Sequence, residues 1–226
     1  MTASVVVLIS GRGSNLEALF LAEAASSFRI DAVFSNRQAA GLDYAHSRGR
    51  PATVIAPSRG EARERYDDRL RAAIDPFAPD FIVLAGFMRI LSPAFVEHYA
   101  GRLVNIHPSL LPAYRGLDVH ERILAANESR SGASVHVVTA DLDAGPVLVQ
   151  SVVPVTAGDT PESLSARVQR TEHKIYPAAV ELLAAGRAQL NDATIVVDGK
   201  ALTHPFRAVF DGTGGLTEWP DNLPRL

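Results

Sequence analysis

The chain has no cysteine. That excludes disulfides, thiol nucleophiles and cysteine-ligated metals, and it suits a reducing cytoplasm, the compartment expected for this chain. No apolar run approaches the roughly 20 residues of a membrane span. The opening "MTASVVVLISG" carries no basic stretch ahead of its apolar run, so it reads as a first strand and not as a signal peptide. An excess of positive charge is also missing. Lys and Arg number 22 against 25 Asp and Glu, a net charge of -3, so no broad basic face offers itself to nucleic acid. The histidines at 46, 98, 120, 173 and 204 show no metal-ligand spacing such as HExxH, and no metal is expected. Ser109 and Ser134 lack the context of a nucleophile elbow. There is no repeat, no low-complexity block and no evident linker.

What is present is a chain of 226 residues, 47% hydrophobic, enough for one domain with a substantial core and too apolar for disorder. Residues 5–9, "VVVLI", form a continuous apolar run, the mark of a strand buried on both faces of a parallel sheet. Further strands are expected at 30–35, 52–56, 80–86 and 103–107. Helices are expected from a Ser14 cap to about Ala25, at 39–49 and at 60–75. This alternation predicts an α/β fold with a doubly wound, mostly parallel sheet. Residues 132–155 read as two antiparallel strands around an acidic loop. Residues 159–186 read as a long helix with an Asp/Thr cap, and 193–203 as a small hairpin around Asp198-Gly199. The last 20 or so residues read as irregular and peripheral.

Ligands in such sheets bind at the carboxyl ends of the strands. One of those ends is "VNIHPSLLPAYRG" (104–116). Asn105 and His107 share a face there, because side chains alternate along a strand, and Pro108 and Pro112 stiffen the turn beyond them. An amide beside an imidazole suits a developing oxyanion. "SGRGSNLEAL" (10–19) is a Gly-rich turn opening a helix. It is not the dinucleotide fingerprint, since Leu16 stands where the third glycine belongs, and no Gly-Lys-Ser/Thr makes it a P-loop. It is either a monophosphate cradle or a tight turn without a ligand. Arg63 and Arg65 in "EARERYDDR" read as a solvated helix face. "GFMRILS" (86–92) is either a buried turn or an apolar slot for a flat ligand. Asp141 and Asp143 in "DLDAGPVL" are turn formers unless their loop faces His107. His136 reads as a satisfied core histidine.

Five stretches, "VVVLISGRGSNLEAL", "LAGFMRILSPAFV", "GRLVNIHPSLLPAYRG", "GASVHVVTADLDAGPVLVQ" and "RVQRTEHKIYP", run in order from residue 5 to about 186. Together they resemble the folate-dependent formyltransferases, in particular the phosphoribosylglycinamide formyltransferase family of purine biosynthesis. The resemblance implies a Rossmann-like formyltransferase fold, 10-formyltetrahydrofolate as co-substrate and formyl donor, and the primary amine of 5'-phosphoribosylglycinamide as acceptor. It implies Asn105, His107 and Asp143 as a catalytic trio, with His136 close to the catalytic histidine as support rather than chemistry. It assigns Gly13, Ser14, Asn15 and Arg63 to the acceptor's phosphate and Glu172 to its glycinamide end. Met88, Arg89, Ile90 and Leu91 become a folate-binding loop, faced by Ala140 and Asp141. A monomer or homodimer acting on small molecules is expected. The expected layout is a single domain over 1–204, with a phosphate-binding half (1–100), a catalytic and folate half (101–204), and a peripheral tail (205–226). At position 118 this chain has Asp, where bacterial relatives commonly carry a second histidine. A sister activity on another acceptor, or hydrolysis of the formyl donor, shares the trio. The cradle favours a small phosphorylated acceptor, and no regulatory domain precedes residue 5. A non-catalytic folate- or nucleotide-binding module is the third reading, and the intact trio argues against it.

Overall fold

The structure is a computed structural model and describes residues 2–191 and 193–226. The first half alternates strand and helix: β1 (Ala3–Ile9), α1 (Ser14–Glu23), β2 (Phe28–Ser35), α2 (Ala40–Ser47), β3 (Ala52–Val54), α3 (Arg63–Ile74), β4 (Phe81–Leu84), α4 (Pro93–His98) and β5 (Leu103–His107). The second half comprises α5 (Val119–Ala125), β6 (Arg130–Val137), β7 (Val147–Pro154), α6 (Pro161–Ala184), β8 (Ala188–Leu190), β9 (Ile195–Val197), β10 (Lys200–Ala201), β11 (Phe206–Phe210) and β12 (Leu216–Glu218). The main sheet has nine strands in the order β12-β11-β7-β6-β5-β4-β1-β2-β3. β1 to β5 are mutually parallel; β6 and β7 are antiparallel additions. A separate three-stranded antiparallel sheet joins β8, β9 and β10. The fold is thus α/β and mostly parallel, with antiparallel strands in its C-terminal part.

The "VVVLI" run is fully buried because both faces are covered. Val5, Val7 and Ile9 point to the side of α1 and α6, and Val6 and Leu8 to the side of α3 and α4. The same alternation in β5 sends Val104 and Ile106 to the α6 side and Leu103 to the α3 side. Asn105 and His107 therefore share the α3 face. Tyr176 of α6 ties β4 to β5: its buried hydroxyl lies 2.8 Å from the Leu84 carbonyl and 3.2 Å from that of Val104.

Two expectations are corrected. Ser14 does not cap α1: Gly13 occupies the cap position at φ 82°, with no side-chain cap bond, and Ser14 is the first helical residue. The turn runs so close to α2 that a Cβ at Gly13 would stand 3.0 Å from the Gly41 Cα. Nor is the segment from 205 onward a peripheral coil. β11 pairs in parallel with β7, and Ala208, Phe210 and Leu223 are buried in the main core, so the main sheet takes in residues beyond 204. α4 and α5 also escape the sequence reading. Each is under eight residues, too short for helical periodicity to stand out.

Candidate active site

β5 delivers Asn105 and His107 to the carboxyl edge of the sheet, and antiparallel β6 sets His136 opposite Asn105 and Ser134 opposite His107. His136 is 2% exposed. Burial lowers its imidazole to about 4, against weaker opposing pulls from the Val137 carbonyl and Asp143, so it is neutral near pH 7. Its Nδ1 lies 2.9 Å from the Val137 carbonyl oxygen, which can only accept, so Nδ1 carries the proton. Nε2 is then a bare lone pair. It accepts from Asn105 Nδ2 at 3.1 Å, which fixes the orientation of the Asn105 amide. One N–H of that amide is committed and the other is left for the cavity.

The same reasoning settles His107. Its Nε2 lies 2.9 Å from the Tyr114 carbonyl and must donate to it. Nδ1 faces Asp143 Oδ2 at 3.3 Å, and both side chains are more than nine-tenths buried. Asp143 Oδ2 also accepts from the Gly116 N–H at 3.0 Å, and Oδ1 stands 3.7 Å from His136 Nε2. Asp143 and Tyr114 both hold left-handed backbone, at φ 48° and 56°. For a tyrosine that is costly, and here it turns the carbonyl toward His107.

A cavity of about 900 Å³ lies over the trio and crosses the edge of the sheet. Its walls come from loop 86–90 on one side and from Pro161, Glu162 and Ser165 of α6 on the other. Met88 (67%), Ile90 (55%), Leu142 (50%) and Leu117 (76%) are apolar side chains left exposed around it. A narrower slot of about 90 Å³ runs between Phe87, Arg89, Ile90 and Leu91 and the facing Ala140, Leu142 and Asp143. Ser10 anchors the start of this loop by accepting the Met88 N–H at 2.8 Å, and Asp67 of α3 anchors its end by accepting the Ser92 N–H. The Arg89 guanidinium lies 4.1 Å over the Tyr66 ring.

On the α6 face, Gly13, Ser14 and Asn15 open α1 with N–H groups that have no partner inside the helix. Asn15 Nδ2 donates to Glu172 Oε2 at 2.8 Å, and the buried Asn15 Oδ1 has no partner among the described residues. Burial raises the Glu172 carboxyl above the usual range, opposed by the Asn15 hydrogen bond. Glu172 lies seven residues along α6 from the cavity-lining Ser165, about 10 Å at helical rise.

Arg63 does not join that cradle. It opens α3, on the opposite face, with its guanidinium 3.7 Å from Glu64, and it acts only weakly on Asp67, which is bonded to the end of loop 86–92. Asp141 is exposed and lines neither cavity. Its carbonyl accepts from Ala144 N and Thr139 Oγ1 and shapes the loop that carries Asp143. Asp118 precedes α5 at φ 55° and lines the larger cavity without a capping bond. Sequence reasoning missed Ser10, the Tyr114 carbonyl and the orienting role of His136. Only the pairing of β5 with β6 reveals the last, and a single sequence carries no register between distant strands.

Comparison with known proteins bears on this arrangement. The family model described as formyl transferase matches residues 3–180. The chain belongs to the formyl transferase family. Among curated relatives it is 49% identical over 202 residues to the phosphoribosylglycinamide formyltransferase of Escherichia coli (strain K12), covering 88% of this chain and 95% of that one. It is 47% identical over 193 residues to the human trifunctional purine biosynthetic protein adenosine-3, covering 84% of this chain and 19% of that one. Among solved structures, the phosphoribosylglycinamide formyltransferase of Coxiella burnetii superposes with a TM-score of 0.85 at 47% identity, covering 90% of this chain and 97% of that one. A formyltetrahydrofolate deformylase from Pseudomonas syringae superposes at 0.81 with 25% identity, covering 87% and 66%. As a member of the formyl transferase family the chain is a formyltransferase, and no helix among its described residues is long and apolar enough to cross a membrane.

Proposed function

We propose that this formyltransferase moves the formyl group of 10-formyltetrahydrofolate to the primary amine of 5'-phosphoribosylglycinamide, a step of purine biosynthesis, in the cytoplasm. The observation that carries the reading is the meeting of His107, Asp143 and an Asn105 amide with one free N–H over a cavity that crosses the sheet edge. The amine nitrogen attacks the formyl carbon, and the carbonyl oxygen takes the displaced electron pair. The free Asn105 N–H donates to that oxygen, and so can a protonated His107 Nδ1. When the carbon–N10 bond breaks, the proton lost by the amine reaches the folate nitrogen through the His107–Asp143 pair. No enzyme nucleophile is needed, because the acceptor amine is the nucleophile.

The flat pterin suits the slot between loop 86–91 and Ala140. The cradle of Gly13, Ser14 and Asn15 suits a phosphorylated acceptor, with Glu172 and the unpartnered Asn15 oxygen beside it. Arg63 and Arg89 stand on the folate side, where the glutamate end of the donor carries carboxylates. In this reading the two halves of the chain interleave: the folate loop belongs to the first 100 residues, and Glu172 to the second half. Hydrolysis of the donor is the competing activity, favoured by the likeness to the deformylase. One assay separates them. Formyl transfer to glycinamide ribonucleotide, followed by the absorbance change on folate deformylation, requires the acceptor under the proposal. Release of formate at the same rate without acceptor would assign the chain to hydrolysis.

A further inference from the structure

Gln150, Ser134 and His107 stand side by side across β7, β6 and β5, since Ser134 is registered against both of the others. Gln150 and Ser134 are 2% and 0% exposed, and neither lines the cavity over the trio. Their side chains are nevertheless fully engaged with the turn that leaves His107. Gln150 Nε2 donates to the Leu111 carbonyl and to Ser134 Oγ, each at 3.0 Å. Ser134 Oγ donates to the Ser109 carbonyl at 2.6 Å and accepts the Leu111 N–H at 3.1 Å. Ser109 Oγ in turn donates to the Ala113 carbonyl at 2.6 Å, next to Tyr114. The Ser134 hydroxyl thus gives one hydrogen bond and takes two, its full capacity.

Tyr114 closes the path. Its backbone is held left-handed, and its carbonyl receives the His107 Nε2 proton. A neutral imidazole can place its proton on either ring nitrogen, and the acceptor it meets decides which. With the Tyr114 carbonyl fixed, Nε2 keeps its proton and Nδ1 is turned to Asp143. With the turn loosened, that choice is lost.

We propose that Gln150 and Ser134 are positioning residues that set the tautomer and orientation of His107 by pinning the 108–114 turn. The proposal rests on the formyl-transfer reading for its kinetic consequence alone; its structural consequence can be read without any substrate.

The test uses Gln150→Met and Ser134→Ala in the full chain. Because both sites are buried, Tyr114→Gly is added: it keeps the carbonyl, frees the backbone and alters a half-exposed position. Nitrogen-15 NMR of the His107 ring in the free protein should show a single Nε2–H form in the wild type and a mixture in each variant that folds. Values of kcat should fall roughly 10- to 100-fold, the scale of a slightly misplaced group, with KM for both substrates unchanged. Folded variants that melt earlier yet keep the single Nε2–H form and the wild-type kcat would overturn the proposal. Absence of formyl transfer in the wild type would count against the reading of the reaction and leave the NMR result to decide this one.

Discussion

Asp143→Asn is the substitution that separates charge from shape. The residue sits at φ 48°, and asparagine is among the few side chains that accept left-handed backbone readily, so the loop should keep its course. Asparagine can still accept the Gly116 N–H through its oxygen, or offer an N–H to His107, but it cannot take up a proton. The 3.3 Å contact with His107 Nδ1 then changes from a carboxylate–imidazole contact to an amide–imidazole contact. A hydrogen bond to a charged group is worth roughly 1.5–3 kcal/mol, so kcat should fall about 10- to 150-fold. Neither KM should move, because the pair acts in the transition state. Steady-state kinetics, a melting curve and nitrogen-15 NMR of His107 form the assay. An unchanged kcat with an unchanged His107 ring spectrum would show that Asp143 only forms the turn, and the reasoning would fail.

Three further outcomes rest on the same geometry. Asn15→Leu should raise KM for the acceptor by about 10- to 150-fold and spare the donor, whereas Arg63→Ala, a half-exposed charge on the folate side, should raise KM for the donor by only about 2- to 10-fold; the opposite pattern would return Arg63 to the phosphate. His136 should shape the acid limb of stability. Its folded value of about 4 lies below the ordinary 6.5. The unfolded chain therefore takes the proton first, and a contribution of roughly 3 kcal/mol, complete above pH 6.5, is lost as the pH falls toward 4. Urea midpoints at several pH values should show this loss in the wild type and much less of it in His136→Asn. Tyr176→Phe should cost about 0.5–1.5 kcal/mol in urea unfolding by removing the buried hydroxyl's hydrogen bond to the Leu84 and Val104 carbonyls, with little change in kcat.

How far the sequence foretold the molecule depends on the range of the interactions involved. Val5–Ile9 declared a two-sided buried strand, and the 132–155 hairpin and the long α6 helix with its Thr160 cap were equally legible, because each is encoded within a few neighbouring residues. The short α4 and α5 helices offered too few turns for periodicity. The strand at 206–210 carries no local signal of its place, because its partner lies more than fifty residues earlier, at β7. The trio was legible as residue types at the ends of strands. Its wiring was not: the neutral His136 that turns the Asn105 amide, the Tyr114 carbonyl that sets His107, and the removal of Arg63 from the cradle all depend on which strand or helix lies against which.

The central claim is that Asn105 stabilises an oxyanion formed when the acceptor amine attacks the formyl carbon. Single-turnover formyl transfer with saturating 10-formyltetrahydrofolate and glycinamide ribonucleotide tests it most directly, comparing wild type with Asn105→Ala. Loss of one oxyanion donor should slow the chemical step about 10²- to 10³-fold while both substrates bind with unchanged affinity. A chemical step as fast as that of the wild type, or a loss that lies wholly in binding, would contradict the account.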